Sequence, residues 1–208
     1  MTDHDSARRR YDSDVRTQAA ARTRAGIADA ARSLFLERGW AATTVRDVAR
    51  EAGVSVPTVY AVYGGKVGLA AALADSADLS AGLEELAAQL EEAPGPLEQL
   101  RVLVAYDRRL FEDSGDLIRV AREAGRSEPL LAATYRDRRH QGDQARARVF
   151  ASWPAGALRD GVTVEDAVDV YAALCNIDVY TTLVAERGWS PDRVSTWWTD
   201  ALARELLA

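Results

Sequence analysis

The sequence predicts an all-α protein, with an N-terminal three-helix head built on a helix-turn-helix and a larger helical bundle behind it. Three observations predict it. From Arg16 onward, apolar residues recur at the i, i+3, i+4 spacing of a buried helix face. The breaks between these runs carry Gly, Pro or Ser, and no segment alternates polar and apolar as a strand does. Charge divides the chain in two: residues 1–70 hold 11 Lys and Arg against 8 Asp and Glu, and residues 71–208 hold 15 against 24. The overall charge of −6 is thus a basic head of +3 on an acidic body of −9.

Residues 1–15, MTDHDSARRRYDSDV, lack periodicity and read as a disordered arm. Its run Arg8-Arg9-Arg10 is suited to solvent or to a minor groove. The first helix starts at Arg16 and turns Ile27, Ala30, Ala31, Leu34 and Phe35 inward, and Gly39 is its stop. Thr44 caps a short second helix, with Asp47 three residues on to complete a capping box. Val45, Val48 and Ala49 form its inner face, and Gly53 ends it.

The third helix poses a question, because VPTVYAVY carries a proline near its start. A proline in a helix interior costs about 3 kcal/mol or more. With Ser55 as N-cap, however, Pro57 falls in the first turn, where its missing N–H has no intrahelical partner to lose. Gly64-Gly65 closes this helix and Lys66 opens the next. Ala49 is small where two backbones approach, Gly53 permits the turn and Val54 plugs the corner.

Beyond the head the pattern gives helices over about 66–92, 97–113, 116–124, 128–152, 163–187 and 191–207, with Pro94-Gly95-Pro96 as the firmest break. Three parts follow: an arm over 1–15, a helix-turn-helix domain over 16–66 and a helical domain over 67–208.

Residues 22–75 resemble the DNA-binding domain of the TetR family of bacterial transcriptional regulators. The resemblance runs from RTRAGIADAARSLFLERGW through TTVRDVAREAGVSVPTVYAVYGGK to GLAAALAD. It implies that Thr44, Arg46 and Thr58 hold DNA phosphates, that Lys66 reaches another, and that Tyr60 and Tyr63 pack or touch the backbone on the groove side. Arg22 and Arg24, at the start of the first helix, are further phosphate candidates. Val56, Pro57 and Ala61 stand where the family reads bases, and here all three are apolar, which leaves contact with thymine methyls. Readout then shifts toward DNA shape or toward backbone amides at the Ser55 cap. Of the two tyrosines, helical spacing turns one inward, and Tyr60 is the one expected outside.

The expected function is a dimeric transcriptional regulator, a repressor that binds a palindromic operator and is released by a small-molecule effector. The alternatives are an activator using the same head, or an all-helical enzyme or interaction bundle whose head is only structural. Catalysis finds little support. No Gly-rich phosphate loop or nucleophile elbow occurs, and His4, His140 and Cys175 do not cluster at metal-ligand spacing. No cofactor or metal is expected, nor a leader peptide or a membrane partner, because no stretch is read as approaching the ~20 apolar residues of a span. With a single cysteine, the chain is expected in the cytoplasm.

For the effector, Tyr106, Phe111, Tyr135, Trp153, Tyr171 and Tyr180 are candidate aromatic lining, with Arg119, Arg139 or His140 for polarity. Asp178 lies on the stripe Tyr171, Leu174, Cys175, Asp178, Thr181, Thr182 and calls for a partner subunit's arginine or a ligand. Cys175 on the same stripe reads as a small buried hydrophobe. The final helix aligns Val194, Trp197, Trp198, Ala201, Leu202 and Leu206. Paired with Val164, Val168, Tyr171, Leu174 and Cys175, that stripe is expected to form a dimer seam.

Overall fold

The structure is a computed structural model that describes the backbone of residues 3–80 and 82–208 and the side chains of residues 17–74, 82 and 85–208. It divides into two compact units, Met1–Leu73 and Ala74–Ala208. The first holds α1 (Asp3–Ala42), α2 (Val45–Glu51), α3 (Val56–Tyr63) and the opening turns of α4 (Lys66–Ser80). The first turns of α1 coincide with the arm expected over residues 1–15, whose side chains, Arg8 to Arg10 among them, lie outside the described residues.

The head buries Ile27, Ala31, Leu34, Phe35 and Trp40 of α1, Val48 and Ala49 of α2, Val59 of α3, and Leu69 and Leu73 of α4. At Gly39 the backbone leaves helical geometry at φ 77°, ψ 171°. Buried Thr43 then donates its hydroxyl to the main-chain oxygens of Leu34 and Gly39, at 3.1 and 2.9 Å, which answers carbonyls at the broken end of α1. Lys66 donates to the Trp40 carbonyl, and its ammonium sits 4.1 Å from the centre of the Trp40 ring. Gly68 leaves room for the end of α3, because a Cβ there would stand 1.9 Å from the carbonyl oxygen of Tyr63.

The second unit holds α5 (Leu83–Glu92), α6 (Pro96–Ala124), α7 (Pro129–Ala151), α8 (Val164–Leu174), α9 (Ile177–Thr181), a π-helical turn over Thr182–Glu186 and α10 (Pro191–Leu206). α6 is its axis and packs against α5, α7, α9 and α10. Leu100, Leu103 and Val104 of α6 share a core with Phe150, Tyr171, Ile177, Tyr180, Trp198 and Leu202. Inside it lies a charged pair. Arg146 grips both carboxylate oxygens of Asp107 at 3.0 and 2.8 Å, and the Tyr171 hydroxyl donates to the same carboxylate at 2.8 Å. Asp107 is only 2% exposed, so these bonds replace the water it gave up.

The body corrects several expectations. The helix expected over 66–92 is two, because Gly82 takes φ 84°, ψ 40° between α4 and α5. The break expected at Ser114-Gly115 is absent, and both residues are buried within the continuous α6. A Cβ on Gly115 would lie 2.7 Å from Ile177 Cδ1, so the small residue serves packing rather than a turn. The helix expected over 163–187 stops at Leu174. Cys175 takes φ −93°, ψ 76°, and Asn176 restarts the chain by accepting from the amides of Asp178 and Val179 at 3.0 and 3.1 Å.

The same region overturns a second reading, since Val164–Glu186 is long and apolar enough for a membrane span by length and composition, at mean hydropathy 1.2. Here it is broken in the middle, and it contributes Ala167, Tyr171, Ile177 and Tyr180 to the core. The expected dimer stripe is corrected in part, at the residues that pack inside their own chain. Val194, Trp198, Ala201, Leu202 and Leu206 are buried within their own chain, with Trp198 at 0% exposure, and Tyr171 and Cys175 are buried as well.

Candidate nucleic-acid interface

α2 and α3 are two short helices whose starts are fixed by side chains. Asp47 donates its amide to Thr44 Oγ1 at 3.2 Å and accepts from the Thr44 amide at 3.1 Å, so the capping box is complete. The Thr44 hydroxyl also donates to that carboxylate, at 2.5 Å. These bonds hold the Asp47 carboxyl below its ordinary range, with Arg50 at 2.7 Å adding to the effect. Gly53, at φ 65°, makes the turn, and the Val54 amide closes it onto the Ala49 carbonyl at 2.9 Å.

Ser55 caps α3 by accepting from the Thr58 amide at 3.3 Å, and the two hydroxyls lie 2.8 Å apart. Pro57 sits in the first turn and Gly64 ends the helix at φ 70°. Val59 faces the core. Pro57, Tyr60 and Ala61, spaced i, i+3, i+4, are all exposed, and Val56 and Thr58 are half-buried beside them. Tyr60 keeps 53% of its surface. Tyr63 is half-buried and turns inward, with its hydroxyl donating to the Arg24 carbonyl at 2.9 Å. Thr44, Arg46, Arg22, Arg24 and Ser55 are exposed. Lys66 is half-buried, with its ammonium on Trp40. A capped pair of short helices, joined by a glycine turn and presenting one face of the second, is the geometry that enters a major groove.

The comparisons with known proteins fall on this unit. Residues 27–73 match the family described as "Bacterial regulatory proteins, tetR family". Residues 27–73 thus carry a likeness to the TetR family. A 47-residue stretch is 49% identical to the HTH-type transcriptional regulator AlkX of Mycobacterium tuberculosis, over 23% of this chain and 22% of that one. The chain therefore spans under a quarter of the curated relative it matches.

Solved structures extend the likeness of fold beyond residues 27–73. NalD of Pseudomonas aeruginosa, the secondary repressor of the MexAB-OprM multidrug efflux pump, superposes at TM-score 0.71 with 22% identity, over 91% of this chain and 98% of that one. FadR of Bacillus subtilis in complex with stearoyl-CoA gives 0.71 and 18%, over 86% and 97%. A tetR-family regulatory protein from Rhodococcus RHA1 gives 0.69 and 23%, over 89% and 98%.

The ligand candidates in the body part company. Tyr135 and Asp178 line a cavity of about 610 Å³ bounded by the end of α6, the start of α7 and α9. Tyr106 is core, and Phe111 packs on the rings of Tyr180 and Trp198, at 5.9 and 6.1 Å between centres. Trp153 donates its indole N–H to Gln99 Oε1 at 2.6 Å and stacks on Phe150. His140 is exposed beside Gln144 on α7. Asp178 is not a buried acid seeking a partner subunit's arginine. It is 67% exposed and paired with Arg122 of its own chain at 2.6 Å. Sequence reasoning did not single out Arg122, Arg126 and Arg136, which also line the cavity. Their one signal was an unusual density of arginine in an acidic body.

Proposed function

We propose that the chain is a DNA-binding transcriptional regulator, a repressor that leaves its operator when a small-molecule effector binds the body. The exposed face of α3, held between the Ser55 cap and Gly64 on a basic TetR-family head, carries this reading. Arg46, Arg22 and Arg24 are the phosphate contacts, with the hydroxyl of Thr58 beside them. Both Thr44 donors are taken up by Asp47, so Thr44 contributes by fixing the start of α2. Lys66, gripped by Trp40, acts through its charge at the start of α4. Val56, Pro57 and Ala61 meet the base edges through apolar contact.

The chain works as a homodimer in the cytoplasm. The partly exposed apolar residues Val168, Val170 and Leu174 of α8 and Trp197 of α10 support that assembly. A two-fold dimer sets two heads on half-sites ~34–36 Å apart or a multiple of it. The family's regulators act by binding rather than by catalysis, and the same is proposed for this chain. Selection of sites from random DNA tests the proposal. A palindromic sequence is expected to be enriched, and Arg46→Ala is expected to reduce the salt slope of binding by ~1. Failure to enrich any sequence would reject it.

A further inference from the structure

The cavity beside Asp178 has a charge that runs against the rest of the body. Four arginines line it, Arg119, Arg122, Arg126 and Arg136, against the two acids Glu123 and Asp178. That excess of cations stands in a segment whose net charge is −9. Like charges gathered around one concavity raise one another's energy unless an anion answers them. Two of the four are partly answered, Arg122 by Asp178 at 2.6 Å and Arg119 by the hydroxyl of Thr181 at 3.3 Å. Arg126 and Arg136 are exposed and have no ion-pair partner among the described residues. A volume of about 610 Å³ suits a small organic molecule, and Tyr135 gives it one aromatic wall.

We infer that this cavity binds a small organic anion, carrying a phosphate or a multivalent carboxylate, gripped by Arg126 and Arg136. The guanidinium fork matches both groups in two parallel hydrogen bonds. Arg122 is the exchange point, where the ligand's oxygens displace the Asp178 carboxylate. The Arg122–Asp178 pair ties α6 to α9, immediately after the restart at Asn176. The exchange therefore loosens α9 from α6 as the ligand enters. This names the class of effector for the regulator proposed above, and it rests on that reading for its consequence but not for the binding itself.

Titration calorimetry on the intact protein at 150 mM salt tests it, with pyrophosphate and citrate as probes and glycerol as a neutral control. Saturable binding of at least one anion is expected, and which one responds separates the phosphate source from the carboxylate source. The double variant Arg126→Gln/Arg136→Gln is expected to bind at least about tenfold more weakly. Asp178→Asn, which removes the competing carboxylate from an exposed pair, is expected to bind about threefold more tightly. Thermal melts of all three proteins check that they are folded. Absence of saturable heat from both anions would overturn the inference, and so would equal binding by the double variant. An Asp178→Asn protein that binds no better would remove the exchange. Operator binding without any probe is measured separately, so a failed regulator reading is told apart from a failed anion site.

Discussion

The hydroxyl of Tyr63 donates to the main-chain oxygen of Arg24 at 2.9 Å, and the Arg24 guanidinium lies 4.8 Å from the centre of the same ring. One tyrosine thus straps the end of α3 to α1, and the other, one turn earlier, faces outward. The two should separate experimentally. Tyr63→Phe removes a hydrogen bond and is expected to cost about 0.5–1.5 kcal/mol of stability in urea denaturation. Tyr60→Ala is expected to stay within about 0.5 kcal/mol while weakening DNA binding in fluorescence anisotropy. The opposite pattern would exchange their roles.

Gly68 makes a sharper case. A methyl group 1.9 Å from the Tyr63 carbonyl has nowhere to go, because the obstacle is backbone. Gly68→Ala should therefore shift α3 against α4 despite alanine's better helix propensity. The expected result is a lower melting temperature together with loss of DNA binding. A Gly68→Ala protein more stable than wild type would show that the approach is not tight.

How much of this was legible in the sequence depended on whether a boundary has a local chemical mark. The head has one at every end: Thr44 with Asp47, Ser55 with Pro57, and glycines at 39, 53 and 64. The body does not. Ser114-Gly115 looked like a stop, but its meaning came from Ile177, which is remote in sequence and needs the space. The break at Cys175 hid within a smooth apolar period, and only Asn176, as a cap two residues before Asp178, marked it. Pairing of Asp107 with Arg146, 39 residues apart, leaves no local pattern. Aromatic content pointed to a ligand site, yet Tyr106 is buried, and Phe111 and Trp153 are taken up by packing and an internal bond. No pattern within a single helix separates core from cavity.

The buried polar cluster predicts how the body responds to alkali. Burial, with the Asp107 carboxylate nearby, pushes the Tyr171 phenol well above its ordinary 10.0 and the Cys175 thiol well above 9.0. Both groups keep their protons in the folded state after the unfolded chain has released them. Their contribution is whole below about pH 9 and falls away as pH rises through the raised values, at ~1.4 kcal/mol per pH unit for each group. Urea denaturation between pH 7 and 11 should show a plateau and then a decline. Cys175→Ala should delay the decline toward pH 10, and an unchanged onset would exclude the thiol.

Trp197 and Trp198 should give different failures. Trp198 is fully buried against Phe111 and Tyr180, so Trp198→Ala is expected to cost about 3–5 kcal/mol and to be seen in denaturation. Trp197 is half-buried and stands edge-on to Trp189, 6.0 Å between ring centres. Trp197→Glu should leave the fold intact and shift sedimentation toward monomer, with operator affinity falling alongside. A folded Trp197→Glu protein that remains dimeric would place the subunit contact elsewhere.

The apolar outer face of α3 has a thermodynamic consequence. Val56, Pro57 and Ala61 bring no side-chain donors to align with base edges, so any attraction of theirs to thymine methyls would come from releasing water on both sides. Association of that kind lowers the heat capacity of the complex. Its enthalpy then changes with temperature, and affinity follows a curve instead of a straight van't Hoff line. A regulator reading DNA through this face would grip its operator best within a band of temperatures and lose hold on cooling as well as on warming.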